Sequence, residues 1–318
     1  MGFPYGDLYK EILSDSRAGK PRFKSVLMGD SDSAYITLKH YMERNNLDPT
    51  DDRLVIELAD KVQEKIATVL PDIMNPFFNV PEERRRILEP GREIVGKSGI
   101  FKPQKKRYAI HVIDDEGIPP DDPKYLKIKG IDTQRSDTPK IVQDFLRECI
   151  IKVIVDRVSY DELMLHIEQF KDKLRSMNPW EYGATGRISN LSISQRDVEM
   201  FSERETDKPQ LYYFVKAAMN TNSLMETHKE RTWKPITDGD KVSVVKLVPN
   251  NRTGVDIVAF PVDEATVPAW FASLPFDVES TLVKMVDKKL DNIFRDSIGW
   301  VVRPVEIDAG NVASVIDI

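Results

Sequence analysis

The stretch Lys24-Ser-Val-Leu-Met-Gly-Asp-Ser-Asp-Ser-Ala-Tyr-Ile36 constrains the fold more than any other. A short apolar run ends in Gly29, two aspartates follow with one residue between them, and an apolar run resumes at Ala34. The pattern predicts a β-hairpin whose turn presents acid, because Gly, Asp and Ser are turn formers. Residues i and i+2 of a strand share a face, so Asp30 and Asp32 can aim two carboxylates at one point. Carboxylates that close repel one another unless a cation sits between them. A hard divalent cation with oxygen ligands is the natural occupant. An ordinary acidic surface turn has the same residues, and on spacing alone it is the favoured reading.

A chain of 318 residues has room for about two domains and a sizeable core. No apolar run approaches the ~18–20 residues of a membrane span. Gly6 stands where a myristoylation signal needs Ser or Thr, and no basic-then-apolar leader opens the chain. The single cysteine, Cys149, excludes an internal disulfide and lies in an apolar helical pattern, as a small core residue would. Net charge is −6, which argues against wholesale basic binding of nucleic acid. Yet the window Arg84–Arg107 holds nine basic residues against two glutamates. A local cationic stripe near an acidic turn suits a site that handles a polyanion and metal ions.

Read in order, residues 1–22 form an arm with one short helix-like piece, Leu8 to Leu13. A long helix is expected from about Asp51 to Phe78, with Asp51 or Asp52 as N-cap and Pro71 kinking or ending it. Strands are expected at Ile87–Leu88, Glu93–Val95, Arg107–Ile113 and Tyr125–Ile131, with a turn at Asp114–Gly117. Together these make an α+β unit. A boundary follows near Gly130. Thr138 and Pro139 read as the N-cap and first position of a helix running to about Val158, and a second helix covers Tyr160 to Met177. The stretch beyond Asn178-Pro179 has little pattern. Leu211 to Asn220 looks helical, Lys241–Val248 and Val255–Phe260 are strands after the Asp238-Gly239 turn, and Val278 to Phe294 is a long amphipathic helix.

Gly91-Arg-Glu-Ile-Val-Gly-Lys-Ser98 has the spacing of a phosphate-binding P-loop. A working P-loop needs a buried strand before it and a helix after it. Arg84 to Pro90 is too charged for such a strand. Only nine residues separate Ser98 from Tyr108, where a helical crossover needs at least about a dozen. A glycine-bearing turn between strands is the expectation. His40, His111, His166 and His228 have no mutual metal spacing, and no Gly-x-Ser-x-Gly elbow offers a nucleophile.

Gly29-Asp-Ser-Asp-Ser33 followed by Tyr35 resembles the third polymerase motif of family B DNA polymerases, usually Tyr-Gly-Asp-Thr-Asp-Ser, with Met28 and Ser31 as departures. Further on, Lys105-Lys-Arg-Tyr108 resembles their basic palm motif. Leu126-Lys-Ile-Lys-Gly130 with Thr133-Gln-Arg-Ser-Asp-Thr-Pro139 is similar to the palm–thumb junction of the replicative polymerases of T-even-type bacteriophages. The resemblance runs from about Lys24 to the C-terminus.

It implies residues 23–130 as the C-terminal part of a palm, an antiparallel sheet with packed helices. It further implies 131–310 as a mainly helical thumb with a small β element, and 311–318 as a tail. Asp32 and Asp30 would be the catalytic carboxylates, with Glu93 beside them as a third metal ligand, around two Mg²⁺ ions shared with a partner chain. Lys105, Lys106, Arg107 and Tyr108 would grip primer–template DNA, and Lys127 and Lys129 its backbone. The last residues, Val315, Ile316, Asp317 and Ile318, resemble a sliding-clamp peptide with aliphatics where aromatics are usual. The exonuclease, the second metal-binding aspartate strand and the fingers helix of the family have no counterpart here. The resemblance therefore implies one subunit of a split polymerase, completed by an N-terminal chain that brings the rest of the palm, the fingers and most of the dNTP site. It would work in the cytoplasm of an infected bacterial host. A DNA-binding, clamp-tethering module without catalytic duty is the alternative, and an independent P-loop NTPase ranks behind both.

Overall fold

The computed structural model describes residues 26–29, 33–87, 89–104, 106–201 and 211–302, without the side chains of 26, 73–78 and 197–201. The expected N-terminal arm with its short helix, the turn residues Asp30 and Asp32, Lys105 and the C-terminal tail lie outside the described residues. The described residues form two compact units. One runs to Gly130 and takes in Ile154–Arg157; the other holds Ile131–Val153 and the residues from Val158 on. The class is α+β, with three small antiparallel sheets, compatible with a partial palm and a helical thumb.

In the first unit β1 (Val26–Gly29) and β2 (Ala34–Ile36) pair antiparallel as the expected hairpin, with Met28 opposite Tyr35 and Gly29 opposite Ala34. A short helix, α1 (Lys39–Arg44), precedes the long α2 (Asp52–Phe78). The Asp51 carboxylate accepts the N–H groups of Arg53 and Leu54 at 3.0 and 3.2 Å, which is the predicted N-cap. Pro71 does not end the helix, which continues to Phe78. A proline removes one helical hydrogen bond, and the remaining ladder carries the chain through. The apolar stripe Val55, Leu58, Ala59 and Val62 packs on Tyr41 and Met42 of α1 and on Val95. Fully burying each large aliphatic there contributes about 1.5–3 kcal/mol.

Val95 lies on β3 (Ile94–Phe101), which with β4 (Tyr108–Asp115) and β5 (Leu126–Lys129) forms a sheet in the order β3-β4-β5. Two expectations are corrected here. Gly96, Lys97 and Ser98 are strand residues with irregular register against β4, not a turn. Ile87 follows a short 3-10 turn at Glu82–Arg84 and is not in a strand. Glu116 and Gly117, both at positive φ, make the tight turn after β4, closed by Asp115 and Ile118 bonding at 2.9 and 3.0 Å. Mirror-image turns of this kind match the twist of flanking strands.

The second unit opens with α3 (Lys140–Ile154) and α4 (Tyr160–Arg175), joined face to face where Phe145 stacks on Phe170 with centroids 3.7 Å apart. Helix α3 stops short of the expected Val158. The Val158 N–H turns back to the Lys152 carbonyl and Arg157 takes a positive φ. Ser159 and Glu162 then form a capping box that starts α4. Cys149 is buried in α3, and burial pushes its thiol well above the usual range.

The patternless stretch contains β6 (Ala184–Arg187) and α5 (Leu191–Phe201), before α6 (Tyr213–Thr227). Strands β7 (Lys241–Lys246) and β8 (Ile257–Pro261) complete a sheet in the order β6-β7-β8. β7 is apolar on both faces because both are covered: Val242 and Val244 pack toward α6, Val245 toward Trp180 and Phe271. The outer edge of β8 is closed by a helix. Thr221 of α6 bonds both the N–H and the carbonyl of Ala259, at 2.8 and 3.1 Å, and the Asn220 amide donates to Ile257 O at 2.9 Å. After a short α7 (Ala269–Ala272), the expected long helix is three pieces: α8 (Val278–Leu282), a π segment (Val283–Asp287) and α9 (Lys288–Ile298).

Candidate functional site

The hairpin is held to the first sheet by aromatic rings. β2 delivers Tyr35, whose ring lies 5.0 Å from Tyr108 at the head of β4 and 5.5 Å from Phe101 at the end of β3. The Tyr35 hydroxyl donates to the Tyr108 hydroxyl at 2.8 Å. Burial first, then the bond and charge of Tyr108, then the charge of Glu93, push the Tyr35 phenol far above its ordinary range. The Tyr35 phenol therefore works as a neutral strut, and Glu93 acts within electrostatic reach of the hairpin. Tyr108 is only 5% exposed, so its placement is that of a support under the strand head.

Glu93 is exposed, just ahead of β3, and its carbonyl accepts the Glu116 N–H at 2.6 Å. Its neighbour Arg92 points inward to Asp60 of α2 at 2.6 Å and to the buried Asp114 of β4. Burial would lower the Arg92 pKa, but the bonds to Asp114 and Asp60 outweigh it and keep the guanidinium charged. Asp114 also accepts the Gly117 N–H at 2.9 Å, so this network ties helix, strand and turn behind Glu93.

Basic residues gather where β4 begins and β5 ends. The register sets Tyr108 opposite Lys129 and Ile110 opposite Lys127. Lys129 is exposed; Lys127 lies 3.6 Å from Asp115. Lys106 is exposed at positive φ, and the Arg107 carbonyl is held by the Lys102 N–H at 2.9 Å. Gly130, also at positive φ, backs this turn, and a Cβ there would lie 2.3 Å from the Lys106 carbonyl oxygen. Gly130→Ala is expected to cost about 1–2 kcal/mol in backbone strain alone, before the collision is counted. Urea unfolding followed by circular dichroism checks it, and an unchanged midpoint would refute the close packing.

The structure thus brings Lys106, Arg107, Tyr108, Lys127 and Lys129 to one end of a sheet, with Tyr35 of the hairpin bonded to it. Asp30, Asp32, Lys105 and Val315–Ile318 fall outside the described residues. Three carboxylates would be a suitable hard-oxygen donor set for Mg²⁺. Glu93 is the member that is described, and among the described residues no group of three potential ligands is assembled. The P-loop spacing has other employment. Lys97 pairs with Asp52 at the start of α2 at 2.8 Å, and the Ser98 hydroxyl donates to Ile154 O at 2.6 Å. Sequence reasoning missed the Arg92 network. An arginine beside a glutamate has no pattern that names partners on another helix and strand.

No family model matches the chain. It is 22% identical over 271 residues to the DNA-directed DNA polymerase of Enterobacteria phage T4, a match covering 82% of this chain and 28% of that protein. It is 26% identical over 245 residues to the DNA-directed DNA polymerase of Escherichia phage RB69, covering 74% of this chain and 26% of that protein. The chain therefore spans about a quarter of the length of the curated relatives it matches. These distant matches extend over most of the chain and support a relationship to DNA polymerases. Among the described residues no helix is long and apolar enough to cross a membrane.

Proposed function

We propose that the chain supplies the C-terminal part of a family B DNA-directed DNA polymerase, one subunit of a split enzyme. The observation that carries this reading is the similarity to two phage polymerases along most of the chain. The hairpin and basic strand ends packed in one unit agree with it. Asp30, Asp32 and Glu93 would hold Mg²⁺, which when bound lowers the pKa of the primer 3′-hydroxyl and screens phosphate charge. The hydroxyl, giving up its proton to water, would attack the α-phosphorus of a dNTP in line as the bond to the bridging oxygen breaks and pyrophosphate leaves with the electron pair. Arg92, fixed by Asp60 and Asp114, holds the segment that carries Glu93 into β3. Lys105, Lys106 and Arg107 would contact primer–template phosphates over the Tyr108 strut, and Lys127 and Lys129 the backbone beyond.

An N-terminal chain would bring the exonuclease, the rest of the palm and the fingers. Val315–Ile318 would engage a sliding clamp, and the complex would act in the infected host's cytoplasm. Primer extension with Mg²⁺, using this chain, the N-terminal chain and the mixture, tests the proposal. Activity is expected from the mixture alone. Asp32→Ala should remove several kcal/mol of transition-state stabilisation, roughly a thousandfold in rate. Unchanged activity in that variant would sink the metal role. Salt-dependent duplex binding without complementation would favour the DNA-binding, clamp-tethering reading instead.

A further inference from the structure

The last described residues lie against α4 of the second unit, beside an exposed apolar patch. Gly299, at positive φ, closes α9, and the chain then meets the start of α4. There the Tyr160 hydroxyl donates to the Val301 carbonyl at 2.7 Å. The Trp300 ring stands edge-on to Tyr160 with centroids 5.7 Å apart. Val302 is buried and its N–H donates to Asp291 of α9 at 3.1 Å, so the point from which the chain continues is fixed on the fold. Apolar side chains face solvent around that point. Tyr160 is 39% exposed and Ile298 37%, and Trp300 is half-buried. One turn along α4, Met164 shares the Tyr160 face, and next to it Leu165 is 61% exposed. A single exposed leucine is ordinary, but a group of apolar side chains marks an interaction surface.

The sequence beyond Val302 has the pattern of an occupant for it. Arg303, Val305, Ile307 and Ala309 alternate with Pro304, Glu306, Asp308 and Gly310. In an extended segment the first set shares one face, a cation followed by three apolar side chains, and both carboxylates fall on the other. The patch has the matching order: Asp161 is exposed in the first turn of α4, with the apolar group beyond it. The distances agree. At about 3.3–3.6 Å per residue, Val305 lies within about 11 Å of Val302, and Ile307 within about 18 Å. Leu165 is about 7.5 Å along α4 from Tyr160, so the segment reaches across the patch without being stretched.

We propose that residues 303–309 of this chain lie extended over Tyr160, Met164, Leu165 and Trp300, with Arg303 toward Asp161 and Val305 and Ile307 on the apolar group. The docked segment is a strap. It fixes the base of the tail and leaves residues 311–318 as a tether of about 26–29 Å at full extension. The strap goes beyond the polymerase reading and does not depend on it.

Disulfide trapping in the full chain tests it. Leu165→Cys with Ile307→Cys should close an internal disulfide under mild oxidation about ten times faster than Leu165→Cys with Glu306→Cys or Asp308→Cys, because Cβ vectors that point apart cannot be bridged without backbone movement. Cys149 is buried and stays out of the exchange. Leu165 is exposed, so its substitution leaves the fold intact. Equal rates for the three pairs would show a segment with no docked face and overturn the strap. Disulfide-linked dimers in place of the internal bridge would assign the patch to a second copy and overturn it as well. With Leu165 in place, Val305→Asp with Ile307→Asp should increase acrylamide quenching of tryptophan emission, and the same pair in a Trp300→Phe background should not. Quenching unchanged by the double variant would refute the cover over Trp300. None of these failures touches the polymerase reading, which primer extension by the mixture tests separately.

Discussion

Phe271→Ala is expected to remove about 3–5 kcal/mol from the second unit, the range for truncating a buried aromatic. Phe271 is fully buried, and its ring lies 5.0–5.9 Å from those of Trp180, Trp233, Phe260, Trp270 and Phe276. No one neighbour can relax into the space without leaving its own contacts. Trp233 and Trp270 are also tethered by indole N–H bonds, to Thr266 O at 2.7 Å and to Glu230 at 2.8 Å. Against a typical domain stability of about 5–15 kcal/mol, the loss is large. All four tryptophans lie in the second unit, so tryptophan emission in urea reads this unit directly. With a urea dependence of about 1–3 kcal/mol per molar, the midpoint should drop by one molar or more. A shift equivalent to less than about 1 kcal/mol would contradict a packed aromatic hub, where truncation should cost several times that.

The second large effect is electrostatic. Arg92→Met should destabilise the first unit by about 3–5 kcal/mol, because it strands the buried Asp114 carboxylate. The Gly117 N–H would remain its one described partner. Adding Asp114→Asn should restore much of the loss, since a neutral amide still accepts from Gly117 and costs far less to bury. Far-UV circular dichroism in urea on both single variants and the double measures the coupling. Additive losses would show that Arg92 and Asp114 do not depend on one another. Because Arg92 adjoins Glu93, the single variant should also weaken primer extension by the reconstituted mixture.

What could be read in the chain was what neighbours along the chain decide. The β1–β2 hairpin, the Asp51 cap and the Gly239 turn each rest on a few consecutive residues and were found where expected. β6 was not legible, because Ala-Thr-Gly-Arg has no strand pattern of its own. It is a strand because Ala184 pairs with Val244, and Gly186 leaves room for the Phe214 ring, 2.7 Å from where a Cβ would stand. Nor did the residues of 278–298 announce a π segment, since the apolar spacing of one helix serves for either.

For the candidate site, the sequence by itself determined the chemical inventory: a hairpin with acid in its turn, a glutamate ahead of a strand, and basic residues flanking two others. Only the tertiary structure decided which of these meet. Tyr35 and Tyr108 are 73 residues apart and share one hydrogen bond. Gly130 backs the Lys106 turn, and Lys97 is paired with Asp52 rather than left for a nucleotide. The physical reason is register. A strand's composition says which residues face together, but bulges such as those in β3 set which partner stands opposite, and they depend on the whole sheet.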